Sequence, residues 1–226
     1  MTNVKHLFFD LDHTLWDFET NSELTFKQIF KEQSIAIDFS EFFKIYSPIN
    51  MKYWRSYRDN EISKEELRYK RLRETFDDLG FEISDKLINT ISKDYIDYLP
   101  NYNNLLEGAV EVLEYLKSKY VLHIITNGFE EVQKQKLEKS DISHYFNVIV
   151  TSECVGVKKP NPKVFEHAME KAMAGAEESV MIGDSFEADV LGAMQVGMKA
   201  IHLADEKNDS NEFVAVKSLH ELKQYL

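Results

Sequence analysis

The feature that most restricts this chain is a repeated unit. A short apolar run stops abruptly at small polar residues, and a stretch with helical spacing follows. Run 4–9 stops at Asp10, 121–125 at Thr126-Asn127-Gly128, and 148–150 at Thr151-Ser152-Glu153. Run 180–182 stops at Gly183-Asp184-Ser185, and 200–203 at Ala204. Helical spacing covers 105–119, 130–139, 162–173 and 187–196. Strands that are apolar throughout, rather than alternating, are buried on both faces, and with helices between them they belong in a parallel sheet. Ligands and reacting groups collect at the carboxyl ends of such strands. Those ends are where the Asp, Thr, Asn and Ser residues fall, so the spacing predicts an α/β fold with its chemistry along one edge.

One segment leaves this rhythm. Residues 17–99 contain no buried strand pattern, only helical periodicity over 22–33, 39–58, 63–79 and 84–98, with Gly80 and Pro100 as stops. The expected organisation is therefore a catalytic core made of 1–16 and 100–226, interrupted by a helical domain over 17–99. The basic and aromatic stretch from Lys52 to Arg73 within it is interleaved with Asp59, Glu61, Glu65 and Glu66, and reads as a solvated helix pair with an aromatic inner face.

Charge narrows the partners. With 27 Lys and Arg against 39 Asp and Glu, the net charge is −12, which repels nucleic-acid polymers and anionic membranes. A small phosphorylated substrate stays compatible, because one lysine or a metal ion reverses the field locally. Cys154 is the lone cysteine, so no internal disulfide forms, and no Cys/His spacing suggests zinc. No export signal or transmembrane run is present in the sequence, so a cytoplasmic protein is expected, a monomer or weak homodimer.

Three strand ends and one proline-bounded turn carry the candidate chemistry. Asp10-Leu11-Asp12-His13-Thr14 places two carboxylates two positions apart, suited to one anionic nucleophile or metal ligand and one acid/base. Thr126-Asn127-Gly128 offers a hydroxyl, an amide and backbone N–H groups at a helix start, a seat for an anion. Lys158-Lys159-Pro160-Asn161-Pro162 puts a lysine on a stiff backbone. In Gly183-Asp184-Ser185-Phe186-Glu187-Ala188-Asp189, Asp184 could ligate a hard cation, with Asp189 bonding its waters or orienting the lysine. Taken singly, each is equally compatible with an Asx turn, an N-cap or a basic surface turn.

The ordered set is much more specific, and it resembles the haloacid dehalogenase superfamily over residues 4–203. That resemblance implies a Rossmann-like core, Asp10 as nucleophile, Asp12 as the acid/base of the phosphatases, and Thr126, Lys159 and Asp184 as the residues completing the site. Lys159 is preferred to Lys158 because it directly precedes the proline. The resemblance further implies Mg2+ held by Asp10, the backbone carbonyl of Asp12 and Asp184, with Asp189 behind them. Thr126, Lys159 and the N–H groups of Asn127 and Gly128 would then steady the phosphoryl oxygens. Family caps are inserted after the first motif or between the second and third. Here Asp12 to Thr126 spans 126 − 12 = 114 positions and Gly128 to Lys159 only 159 − 128 = 31, so 17–99 is the helical cap of the first kind.

The stretch from Phe8 to Phe18 further resembles the bacterial nucleotidase-like branch, which implies a nucleoside 5′-monophosphate substrate. Trp16 and Phe18, close in sequence to the nucleophile, are compatible either with stacking on a base or sugar or with simply pinning the inserted domain to the core. The alternatives are another small phosphate such as a sugar phosphate or phosphoglycolate, a 2-haloacid dehalogenase, and a receiver-like phospho-switch without turnover.

Overall fold

The computed structural model describes Met1, residues 3–204 and residues 212–226. Six parallel strands form one sheet in the order β3-β2-β1-β4-β5-β6, with β1 His6–Phe9, β2 Val121–Thr126, β3 Phe146–Thr151, β4 Ser179–Gly183, β5 Lys199–Leu203 and β6 Val214–Val216. The first five are the apolar runs of the sequence. The sixth carries only three residues, too few to stand out as a run. Central strands β1 and β4 are almost wholly buried, as expected for a sheet covered on both faces.

The chain divides into two compact units, Met1–Phe18 with Asn103–Leu226, and Glu19–Tyr102. The helices are α1 Phe18–Glu32, α2 Phe39–Arg58, α3 Lys64–Asp78, α4 Asp85–Tyr98, α5 Ala109–Lys117, α6 Glu130–Lys139, α7 Ser152–Val155, α8 Pro162–Ala172 and α9 Gly192–Gln195. None of the described helices is long and apolar enough to cross a membrane.

In the helical unit the ends are written in cap chemistry. Asp38 accepts from the Glu41 N–H, Ser63 and Glu66 form a reciprocal capping box, and Ser84 accepts from the Leu87 N–H. Helix α1 starts ahead of the expected Ser22, because Ser22 is buried and bonded to the Tyr95 hydroxyl (2.9 Å) instead of capping. Phe26 centres the aromatic interior, its ring 5.1 Å from Phe42, 4.7 Å from Tyr46 and 4.6 Å from Tyr95. The basic residues outside it pair locally, Lys52 with Glu74, Lys70 with Glu66 and Arg73 with Asp77. Arg71 differs, being buried over Tyr95 with a 2.8 Å bond to Asn50.

In the sheet unit two helical expectations change. Helix α5 begins at Ala109 rather than 105, because Leu106 N–H bonds the Leu15 carbonyl and Gly108 takes the left-handed conformation at φ 81°. The expected helix over 187–196 opens as a π-helical turn, Phe186–Leu191, before α9. Such turns widen a helix locally and are frequent at functional sites.

Candidate active site

Strand register explains why distant motifs meet. Phe9 of β1 lies opposite Ile124 of β2 and Ile182 of β4, so the residues that follow each strand emerge along one edge. Asp10 N–H continues the ladder to the Ile182 carbonyl (2.9 Å). Asp10, Asp184 and Asp189 then offer carboxylate oxygens that all lie within 4.8 Å of one another.

Lys159 holds this cluster together. Its ammonium has three donors, and all three are used, on Asp10 Oδ1 (2.7 Å), Asp189 Oδ1 (2.6 Å) and the Ile125 carbonyl (2.7 Å). The side chain is 2% exposed, and the paired carboxylates hold its pKa well above the ordinary lysine value against the opposing cost of burial. Burial pushes Asp10 up to about 7, opposed by the Lys159 charge and reinforced by Asp189. Burial and the Asp10 charge push Asp184 up to about 6. Asp189 is raised too, first by burial.

Each remaining motif residue has a definite place. Asn127 does not turn its amide to the open edge but clamps the Lys159 backbone, donating to its carbonyl (3.0 Å) and accepting from its N–H (2.8 Å). The Gly128 N–H, expected to face an anion, donates to Thr126 Oγ1 (3.1 Å). Thr126 Oγ1 also accepts from Gln133 Nε2 (2.7 Å), which leaves its own O–H as the donor it can offer. Asp189 accepts from the Ser185 N–H through Oδ2 (3.0 Å), and glycine is required at 183 because a Cβ there would lie 2.2 Å from that oxygen. Asp184 is tied to the first motif through Thr14, whose hydroxyl donates to its Oδ1 (3.3 Å) and accepts from its N–H (3.1 Å). Asp12 turns its carboxylate to helix α6, where it meets Lys136 Nζ (2.5 Å) and Gln133 Nε2 (2.8 Å).

Of the two readings of Trp16, the structure favours packing. Its ring is fully buried, and the Lys136 ammonium lies 4.0 Å from its centroid. Phe18 is nearly as buried, its ring 6.3 Å from Trp16.

Sequence reasoning missed Gln133, Lys136 and His202, whose Nε2 lies 2.8 Å from the Asp184 carbonyl oxygen, and it gave Thr14 a place in the first motif but no partner. A signal for two of them was available. Val132, Gln133, Lys136 and Leu137 share one buried face of α6, so polar residues occupy positions that helical periodicity reserves for the core. His202 carries no such mark, and the contact of Thr14 with Asp184 is made only by folding.

The donor set is hard. Asp10 and Asp184 present carboxylate oxygens at neighbouring strand ends, with no sulfur or imidazole among the clustered groups, which suits Mg2+ rather than a softer ion.

The chain has relatives among known proteins. Residues 7–203 match the family model described as haloacid dehalogenase-like hydrolase. The chain is 32% identical over 225 residues to the pyrimidine 5′-nucleotidase YjjG of Escherichia coli, covering 97% of this chain and 96% of that one. It is 33% identical over 199 residues to the pyrimidine 5′-nucleotidase PynA of Streptococcus pneumoniae, covering 87% and 82%. The protein YfnB of Bacillus subtilis, crystallised with magnesium bound, superposes with a TM-score of 0.90 at 26% identity over 100% of this chain and 99% of that one.

Proposed function

The chain belongs to the haloacid dehalogenase-like hydrolases, and from that premise we propose that it is a Mg2+-dependent phosphomonoester hydrolase that prefers nucleoside 5′-monophosphates. The observation that carries the phosphatase reading is the convergence of Asp10, Asp184 and Asp189 with the Lys159 ammonium, with a second carboxylate, Asp12, two residues from the first. A dehalogenase acting on carbon needs no such second acid.

In this reading the Asp10 carboxylate attacks phosphorus in line and forms an aspartyl-phosphate, while Asp12 protonates the departing oxygen. Asp12 next takes the proton of the water that hydrolyses the acyl phosphate. Lys159 and the Thr126 hydroxyl stabilise charge on the phosphoryl oxygens, the principal demand of phosphoryl transfer. Asn127 acts through the Lys159 backbone. Asp10, Asp184 and the backbone carbonyl of Asp12 would hold the metal, with Asp189 fixing the lysine beside it. When bound, Mg2+ supplies positive charge that lets an anionic phosphate approach an anionic nucleophile. The helical unit inserted after the first strand serves as the cap.

Two outcomes check the proposal. Mg2+ affinity, measured by calorimetry, should weaken as pH falls through about 7 and then about 6, because Asp10 and Asp184 must both lose their protons to bind. Affinity that does not change between pH 5.5 and 8 contradicts the ligand assignment. The substrate proposal rests on the two nucleotidases that the chain is similar to. In a panel of phosphate esters, pyrimidine deoxynucleoside 5′-monophosphates should rank above sugar phosphates and phosphoglycolate in kcat/KM. A reversed ranking by about tenfold, ~1.4 kcal/mol in transition-state binding, removes the nucleotide assignment and leaves the phosphatase one.

A further inference from the structure

We propose that Lys136 and Gln133 are positioning residues that fix the orientation of the Asp12 carboxylate from helix α6 and act on the reaction only through it. This rests on the reading of Asp12 as the acid/base.

A carboxylate on a turn rotates about two side-chain bonds, and two separate donors remove that freedom here. Lys136 Nζ holds Oδ1 at 2.5 Å and Gln133 Nε2 holds Oδ2 at 2.8 Å. Each donor is itself fixed. The Lys136 ammonium rests 4.0 Å from the Trp16 ring centroid, and its side chain is 2% exposed, against 21% for Asp12. Gln133 Nε2 shares its second hydrogen with Thr126 Oγ1 (2.7 Å). Turned over, that amide would face the carboxylate with its own oxygen, so the bonds settle its orientation. The Gln133 side chain lies so close to Gly128 that a Cβ there would be 2.4 Å from its Cδ. Residues following β1 (Asp12, Trp16), residues following β2 (Thr126, Gly128) and the inner face of α6 therefore make one polar assembly around a single carboxylate.

Stability is a poor reason for this assembly. A charge as buried as Lys136 is costly to desolvate, and an apolar side chain beside Val132 and Leu137 would pack at lower cost. Direct contact with substrate is a poor reason too, since the ammonium is enclosed by Asp12 and Trp16. What the assembly does supply is an acid/base held at one angle, which general acid catalysis requires of its proton donor.

A mutant cycle tests this on the full chain with Mg2+. It uses p-nitrophenyl phosphate, whose leaving group needs no proton, and whichever alkyl phosphate the protein turns over fastest. Asp12→Asn should cost the alkyl ester much more than the aryl ester. Lys136→Met should reproduce that selectivity, lowering kcat on the alkyl ester by about tenfold or more with KM nearly unchanged. In the Asp12→Asn background, Lys136→Met should then cost less than about twofold, because its route of action is already lost. Lys136→Gln repeats the cycle if the methionine variant melts below the assay temperature. An additive Lys136 effect, or one expressed in KM, overturns the positioning role while leaving Asp12 intact. An equal Asp12→Asn loss in kcat/KM on both esters overturns the acid role itself, because kcat/KM reports only the steps up to departure of the leaving group, whereas hydrolysis of the aspartyl-phosphate is common to both.

Discussion

Asp10→Asn is expected to abolish turnover, by about 10³-fold or more (~4 kcal/mol of transition-state stabilisation), while leaving the protein folded and no less stable. An amide has almost the volume of the carboxylate, and its oxygen can still accept from Lys159, but it cannot form an acyl phosphate. The stability expectation follows from the burial of the Asp10 carboxylate, to which the Asp189 charge adds. The Asp10 pKa is raised to about 7 in the folded chain, above the ordinary carboxylate value of about 4. The folded state therefore holds that proton better than the unfolded one, and stability from this group is lost as pH rises through about 4 to 7. At pH 8 without metal, the ionised Asp10 is a liability that the asparagine removes. Thermal melts in EDTA should show an unchanged or higher Tm for the variant. A Tm several degrees lower would contradict the electrostatic account. Residual activity above a few per cent, with deamidation excluded by mass spectrometry, would contradict the nucleophile assignment.

Lys159→Met should damage both activity and stability, and Lys158→Ala should do little of either. Lys159 is the counter-charge for two buried carboxylates, so its loss leaves Asp10 and Asp189 facing each other without compensation. Breaking a buried pair from one side costs about 3–5 kcal/mol, and the lost charge on the phosphoryl oxygens adds a catalytic defect. Part of the stability loss should return at low pH, where the abandoned carboxylates take up protons. Denaturant melts at pH 5 and pH 8 measure this. A variant equally stable at both, or a larger defect in Lys158→Ala, would show that the ammonium at 159 does not organise the cluster.

How much of this could be read beforehand depends on the range of the interaction. The first five strands and most helices were legible because burial on both faces writes itself into consecutive apolar residues, and caps such as Ser63 with Glu66 are local chemistry. Strand β6 was not, because three residues lie below the length at which periodicity becomes visible. The start of α5 shifted because Leu106 pairs with Leu15, a contact between residues 91 positions apart (106 − 15).

The site divides along the same line. Asp10, Asp12, Thr126 and Asp184 are marked by residue type at or just past strand ends, where a parallel sheet exposes its polar residues, and Lys159 and Asp189 by their place in the ordered set of motifs. Their partners are not so marked. That Asn127 holds the Lys159 backbone, that Thr14 bridges to Asp184, and that Trp16 lies beneath Lys136 rather than open to a ligand follow from side-chain directions fixed only when the strands are in register. The amino-acid order settles which groups reach the edge of the sheet, because hydrophobic burial allows one register and each strand end then has one place. Which of those groups touch is settled by packing, because a hydrogen bond of 2.5–3.0 Å depends on rotamers and helix orientation that no local pattern encodes.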